Sequence, residues 1–398
     1  MTERHRLSVL RDAEGAGRVT NVELFFDLVY VFAVTQLSTV LVHHPSATGV
    51  LHVAVLLALV WQLWVYTTWA LNYLDPDRPP ARVMLLLLML GSLVLSAALP
   101  YAFAGHGRLV AFTYVSMQVG RVLFVIWTLR GEQLRMVFVR ILPWTLASSA
   151  IVVAGSYLPA TPRALCWAAA IAVDFAGSSV GFAVPGMGRS ATTDWTISGS
   201  HFAERCQAFV LIALGESIVV IGARLELEHP STRNVVAFAI AFAGAVALWW
   251  IYFDRAAEDS ARAIATSDDP GRLARNAFHQ VHPLIVGGII VAAAGDELVL
   301  EHLHGHLEGA SAALVLGGPA LFLLGHAAFK ALVWRVVSWP RVAGVAVLAA
   351  GGLAARHVSG LVLAGGVLAV LVGVAAADRL GHPAEGSAAP DGVDRGTQ

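Results

Sequence analysis

The chain has 398 residues, of which 57% are hydrophobic and only 13% charged, with a mean hydropathy of +0.69. A soluble globular domain carries about 25% charged residues, so this composition excludes one and points to an all-α, polytopic membrane helix bundle whose first partner is the lipid bilayer. A net charge of −1 gives no reason to expect a nucleic-acid partner, because in such a protein the sidedness of charge matters more than its sum.

Apolar runs of about 20 residues, long enough to cross roughly 30 Å of hydrocarbon, occur twelve times. They lie near residues 22–42, 49–72, 83–103, 108–129, 136–158, 163–184, 203–223, 233–253, 281–300, 310–333, 341–356 and 359–377. Residues 1–20 read as a cytoplasmic N-terminal segment, 21–378 as the bundle, and 379–398 as a disordered cytoplasmic tail too polar and too rich in Gly and Pro to fold alone. The first apolar run is too long, and carries too many carboxylates, for a cleaved signal peptide. Most of the 26 Lys and Arg residues fall in alternate connections, which makes that side cytoplasmic and puts both termini inside.

Run 1 opens with Thr20 and Glu23 at capping-box spacing, a sufficient structural reason for Glu23, and the helix dipole favours a carboxylate there as well. Asp27 lies seven residues past the cap, about 10 Å along the axis, where neither device operates. It shares a stripe with Glu23, Tyr30 and Val34, so it is expected to face the bundle interior and to have a partner. Run 2 contains "WQLWVYTTWALNYLD", read as an interfacial aromatic belt, with Asn72 and Asp75 as alternatives for a cavity mouth. Arg121 in run 4 is deep and demands a carboxylate; Glu216, Asp27 and Asp174 of run 6 are the candidates. Cys166 and Cys206 fall at opposite depths and are expected to be free thiols.

Run 7, "ERCQAFVLIALGESIVV", repeats the pattern of run 1. Glu204 is a boundary residue, whereas Glu216 sits near mid-membrane with no cap to explain it, beside Gly215 and Ser217. Run 8 ends in the belt-like "WWIYFD" with Asp254, and run 9 begins with His279 and His282, whose spacing of three puts them on one helical face. His302, His304 and His306 lie among Glu301 and Glu308 in the following loop, without a cysteine or a ligand geometry, so no metal is expected, and no cofactor. Run 10 carries His326 and Lys330. Ala346, Ala350 and Ala354 in run 11, with Gly365, Ala369, Gly373 and Ala377 in run 12, are expected to pack those two helices closely.

The halves 21–184 and 200–378 show correspondences: Glu23 with Glu204, "LWVY" with "WWIY", Arg82 with Arg275, and Arg130 with Arg335. Six helices in each half would make a parallel repeat about the membrane normal; the competing reading is that Trp, Tyr and Arg simply gather near membrane boundaries. No P-loop, G-x-G-x-x-G, H-E-x-x-H or G-x-S-x-G motif occurs.

The segments "NVELFFDLVYVFAVTQLS", "FAERCQAFVLIALGESIVVI", "LWWIYFD" and "LGGPALFLLG" together resemble the bacterial low temperature requirement protein A (LtrA) family, over about residues 18 to 377. Glu23, Phe25, Phe26 and Asp27 match its first motif; Glu204, Arg205, Leu214, Gly215, Glu216 and Ser217 match its second, with Cys206-Gln207 where such proteins usually read Phe-Gly. The resemblance implies a multi-pass protein of the bacterial cytoplasmic (inner) membrane, linked by name to growth in the cold, and supplies no substrate.

The leading expectation is a secondary transporter or ion-coupled permease for a small molecule or ion. Asp27 and Glu216, balanced by Arg121 and by His282 or His326, would form one polar site, with Glu23, Glu204 and Asp174 as further candidates. An intramembrane enzyme acting on a lipid or prenyl chain, using His279 and His282 as acid and base, is the alternative. A membrane sensor or scaffold is the third reading, and association into a homo-oligomer stays open.

Overall fold

The computed structural model describes residues 9–11, 19–192, 199–224, 231–254, 262–264, 266–303, 305–307 and 309–380. Among the described residues, twelve helices of 16 residues or more stand where the apolar runs predict them: α1 Asn21–His43, α2 Ala47–Leu71, α3 Pro79–Ala98, α4 Gly107–Thr128, α5 Arg135–Ser156, α6 Ala160–Ser179, α7 Gly199–Ala223, α8 Thr232–Phe253, α9 Pro270–Glu301, α10 Gly309–Trp334, α11 Trp339–Ala354 and α12 Gly360–Leu380. Ten of them are long and apolar enough to cross a membrane; α6, which carries Arg163 and Asp174, and the 16-residue α11 are not among these ten. Among the described residues there is no strand, only two isolated bridges. Most of the tail expected over 379–398, and most of the segment expected over 1–20, lie outside the described residues. Arg379 and Leu380 still belong to α12, and residues 9–11 run beside the α2–α3 connection, with Arg11 N donating to Tyr73 O at 2.9 Å.

Local chemistry sets the helix starts. Thr20 and Glu23 form the capping box that the sequence predicts, Ser46 caps α2 by accepting from Gly49 N, and Ser231 caps α8 by accepting from Asn234 N. Asp269 caps α9 through Arg272 N, which starts that helix eleven residues earlier than its apolar run at 281. The added length includes a π-helical stretch over Ala274–Val281, in which i→i+5 bonding widens the turn.

The closest helix pair is α9 with α10, and glycine makes it so. A Cβ at Gly318 would collide with the backbone of Ala292, one at Gly288 with the backbone of Phe322, and one at Gly295 would lie 2.9 Å from Val315 Cα. The small-residue stripes expected to join α11 to α12 do not do this work. Ala346, Ala350, Ala354, Ala369 and Gly373 are exposed, and α11 packs inward through Gly344 and Leu348 instead. One turn of small residues can face either way; the larger Leu348, Arg341 and Leu371 decide which face is buried.

The aromatic reading divides in the same way. Trp249 is 44% exposed and Trp250 carries the Arg379 guanidinium 4.4 Å above its ring, as belt residues do. Trp61 and Trp64, by contrast, are wholly buried, because α2 is wrapped by α1, α4, α6, α7 and α9 and its aromatic run forms the centre of the bundle. Helices α1 and α7 run side by side in the same direction: Asp27 meets Arg205, and two turns further along Thr35 meets Glu216.

Candidate functional site

The α1–α7 contact encloses a charge cluster. Glu23 Oε1 lies 2.6 Å from His201 Nε2 and 3.4 Å from Arg205 Nη1, Arg11 Nη2 donates to both Glu23 carboxylate oxygens at 3.1 Å, and Glu23 itself is fully buried. Asp27 Oδ1 accepts from Arg205 Nη2 at 2.5 Å and from Trp64 Nε1 at 2.7 Å. Arg205 is also held between the rings of Phe26 and Trp64, at 5.7 and 5.8 Å from their centroids. Two carboxylates and two guanidiniums thus balance in a buried interface. The balance leaves hydrogen bonds unmade: among the described residues, Asp27 Oδ2, Arg205 Nε and Arg205 Nη1 have no hydrogen-bond partner, Nη1 being held by the Glu23 charge alone.

The sequence expectations fare unevenly here. Asp27 faces inward and has a partner, as its depth required, but the partner is Arg205 and not Arg121. Glu23 is more than a cap. Glu204 points outward and is exposed, so the inward-facing residues of this turn are His201 and Arg205; a step of one residue rotates a helix position by about 100°, which separates Glu204 from Arg205. His201 gave no sequence signal beyond its place four residues before Arg205, and Arg205 was visible only as a motif residue.

Glu216 does not join Asp27. It is buried and accepts from Thr35 Oγ1 at 2.5 Å, eight residues, or about 12 Å, along α1 from Asp27. Its remaining electrostatic neighbour is Glu297 of α9, which with Glu301 binds Arg224 at 2.5 Å near the far end of the bundle.

Arg121 has a different setting. Nη1 donates to Leu63 O and Thr67 Oγ1, both at 3.2 Å, Nη2 donates to Gln118 Oε1, and the guanidinium stands 5.5 Å from the Tyr66 ring centroid. No carboxylate lies within ion-pair distance among the described residues. Asp174, beside Ser148 and Tyr114, is near enough to act on it electrostatically. Arg121 lines a narrow cleft, with a cavity volume of about 40 Å³, between α2, α4, α5, the α6 terminus and the start of α9. Arg275, His279 and Thr192 reach the same cleft, beside Tyr66 and Trp69.

His279 and His282 were expected on one face, and they part. The π turn between Ala274 and Val281 sends His279 to Gln62 Oε1 of α2 at 2.8 Å and leaves His282 Nε2 2.7 Å from Tyr252 OH of α8. His326 belongs to a third group: Arg341 Nε donates to its Nδ1 at 2.7 Å, while Arg341 grips Asp378 with two contacts of 2.7 and 2.8 Å. Aromatic contacts connect these places, with Trp64 at 4.9 Å from Trp61, Trp61 at 6.3 Å from His282, and Tyr252 at 6.0 Å from His326. Among the described residues no group of three His, Cys, Asp or Glu could hold a metal ion; His304 and Glu308 fall outside them. Both cysteines are free, as expected.

Outside the membrane-spanning helices, burial pushes the Asp269 carboxyl up. The Thr192 hydroxyl, the Arg272 backbone N–H and the charges of Arg272 and Arg275 together hold it below its ordinary value.

Residues 18–376 match the family model for the bacterial low temperature requirement A protein. The chain is 36% identical over 354 residues to an uncharacterised protein of Rhizobium meliloti (strain 1021), covering 88% of this chain and 86% of that one. No solved structure matches.

Proposed function

The chain belongs to the bacterial low temperature requirement A family, and from that premise we propose that it is an ion-coupled secondary transporter in which the Asp27–Arg205 pair is the coupling element. One observation carries the reading: a buried pair of opposite charges, joining two parallel helices, leaves Asp27 Oδ2 and Arg205 Nε without a hydrogen-bond partner among the described residues. Burying an ion pair gives little net stability over an apolar contact, so such a pair is better suited to a step that breaks and remakes it than to holding the fold. Asp27 exchanging Arg205 for a proton or a cation changes the charge of the interface, and Trp64 links that change to α2, whose next turns hold Arg121 and line the cleft.

The proposal places the protein in the bacterial cytoplasmic membrane with twelve crossings and both termini inside. In support, Arg11, Arg78, Arg82, Arg140, Arg272 and Arg275 all lie at the end of the bundle that holds the cleft. Recurring neighbours support two related halves: α1 packs on α3 as α7 does on α9, α2 on α6 as α8 does on α12, and α4 on α5 as α10 does on α11. The lipid-enzyme reading needs a converging acid and base, and the divergence of His279 from His282 removes the pair it relied on. The test is uptake and proton movement in everted vesicles over a panel of small solutes. Saturable, gradient-dependent movement is expected for wild type and none for Asp27→Asn at equal abundance; no movement of any solute by wild type would sink the reading.

A further inference from the structure

Helices α8 and α12 pack side by side, and a groove runs between them on the outside of the bundle. Its cavity volume is about 550 Å³, within the range of about 300–1,000 Å³ usual for small-molecule sites. Small side chains make the room: Ala243 and Ala247 on α8, Ala375 and Ala376 on α12. Phe242 and Val372, which also line it, are 48% and 52% exposed, so the groove opens outward. Along α8 it reaches from Phe242 to Trp250, about 12 Å of helix, close to the depth of one leaflet of a hydrocarbon core roughly 30 Å thick.

The apolar walls end at a pair of charges. Among the described residues Arg379 is the one charged group lining the groove, and its guanidinium stands 4.4 Å above the Trp250 ring. Arg379 Nε has a contact of 3.7 Å with Asp254 Oδ2, longer than a hydrogen bond. The two side chains are 60% and 33% exposed, so both charges are open to a third group, and an exposed pair at this distance holds its members weakly. Helices α8 and α12 both finish here, at the end of the bundle that the transporter reading makes cytoplasmic.

We infer that this groove holds one phosphatidylethanolamine of the inner leaflet, with an acyl chain between α8 and α12, its phosphate on Arg379 and its ammonium on Asp254. Any bilayer lipid can put hydrocarbon into the groove; the charges above it select the head group. A guanidinium takes two phosphate oxygens in a charge-assisted contact, and the primary ammonium offers N–H donors to the carboxylate. Phosphatidylcholine has no such donor, and phosphatidylglycerol brings an anion with no cation to answer Asp254. The aromatic ring under Arg379 keeps the guanidinium at the interface, where the phosphate lies. This lipid site stands apart from the transporter reading and is tested without transport.

Native mass spectrometry of the full-length protein, titrated in detergent with dioleoyl phosphatidylethanolamine, phosphatidylcholine or phosphatidylglycerol, makes the test through the apparent affinity of the first lipid bound. Phosphatidylethanolamine is expected to bind at least threefold tighter than the other two. Asp254→Asn should bring phosphatidylethanolamine and phosphatidylglycerol level, Arg379→Gln should weaken phosphatidylethanolamine at least threefold, and the groove-filling Ala376→Leu, at an exposed position, should do the same. Equal or tighter binding of either other lipid by wild type would overturn the inference, as would an unchanged preference in Asp254→Asn or an unchanged affinity in Ala376→Leu. A dimer in wild type that Ala376→Leu splits would also overturn it, by giving the groove to a second copy of the chain.

Discussion

Arg205 and Arg121 are both buried guanidiniums on neighbouring flanks of α2, and their surroundings differ in one respect. Arg205 has Asp27 at 2.5 Å and Glu23 at 3.4 Å, whereas Arg121 has only neutral acceptors. The first charge is answered inside the protein, so the α1–α7 interface is closed and its rearrangement requires an exchange of partners. The second rests on neutral hydrogen-bond acceptors, with the Asp174 charge acting on it from beyond ion-pair distance. Helix α2 touches both places, through Trp64 at Asp27 and through Thr67 at Arg121.

Breaking the comparison should cost most at Arg205. Arg205→Gln leaves the Asp27 carboxylate without its cation in a buried interface, while Glu23 keeps Arg11 and His201, and a loss of about 3–5 kcal/mol of stability is expected, visible as a large fall in thermal midpoint in detergent and in membrane abundance. Trp64→Phe keeps the ring and removes one donor to Asp27; about 1.5–3 kcal/mol is expected from the loss of a hydrogen bond to a charged group, read by the same melt. Arg121→Gln should fall within about 1 kcal/mol of wild type, since removing a buried charge that has no carboxylate within ion-pair distance among the described residues offsets the hydrogen bonds it made. If Arg121→Gln melts as low as Arg205→Gln, the two arginines are not different in kind.

The smallest effect is at the cleft rim. Asp269 has a folded-state pKa below its unfolded value, so its contribution is present above about pH 4 and is lost as pH falls through the lower folded value. Asp269→Asn should therefore lower the thermal midpoint slightly at pH 7, and the difference from wild type should close on acidification. A difference that widened in acid would contradict the sign.

Helix positions, the capping box and the need of Asp27 for a partner were legible in the sequence, because each depends on residues close together along the chain. The identity of the partner was not. Asp27 and Arg205 are brought together by the packing of α1 on α7, and the sequence gives no direct signal of which distant helices touch. Arg205 sits beside the more conspicuous Glu204, and only the rotation of α7 tells which of them faces inward. The separation of His279 from His282 was hidden for a different reason: spacing predicts a shared face only in a regular α-helix, and the π stretch breaks that rule. Trp61 and Trp64 were read as a belt since depth within a bundle is a property of its neighbours rather than of composition.

The central claim is that the Asp27–Arg205 pair couples an ion to transport. Solid-supported-membrane electrophysiology on proteoliposomes tests it most directly, by recording the transient current after a jump in pH for wild type and for Asp27→Asn reconstituted in equal, monodisperse amounts. The account predicts a current in wild type that Asp27→Asn abolishes while the melt shows the variant folded; an undiminished current in folded Asp27→Asn would contradict it.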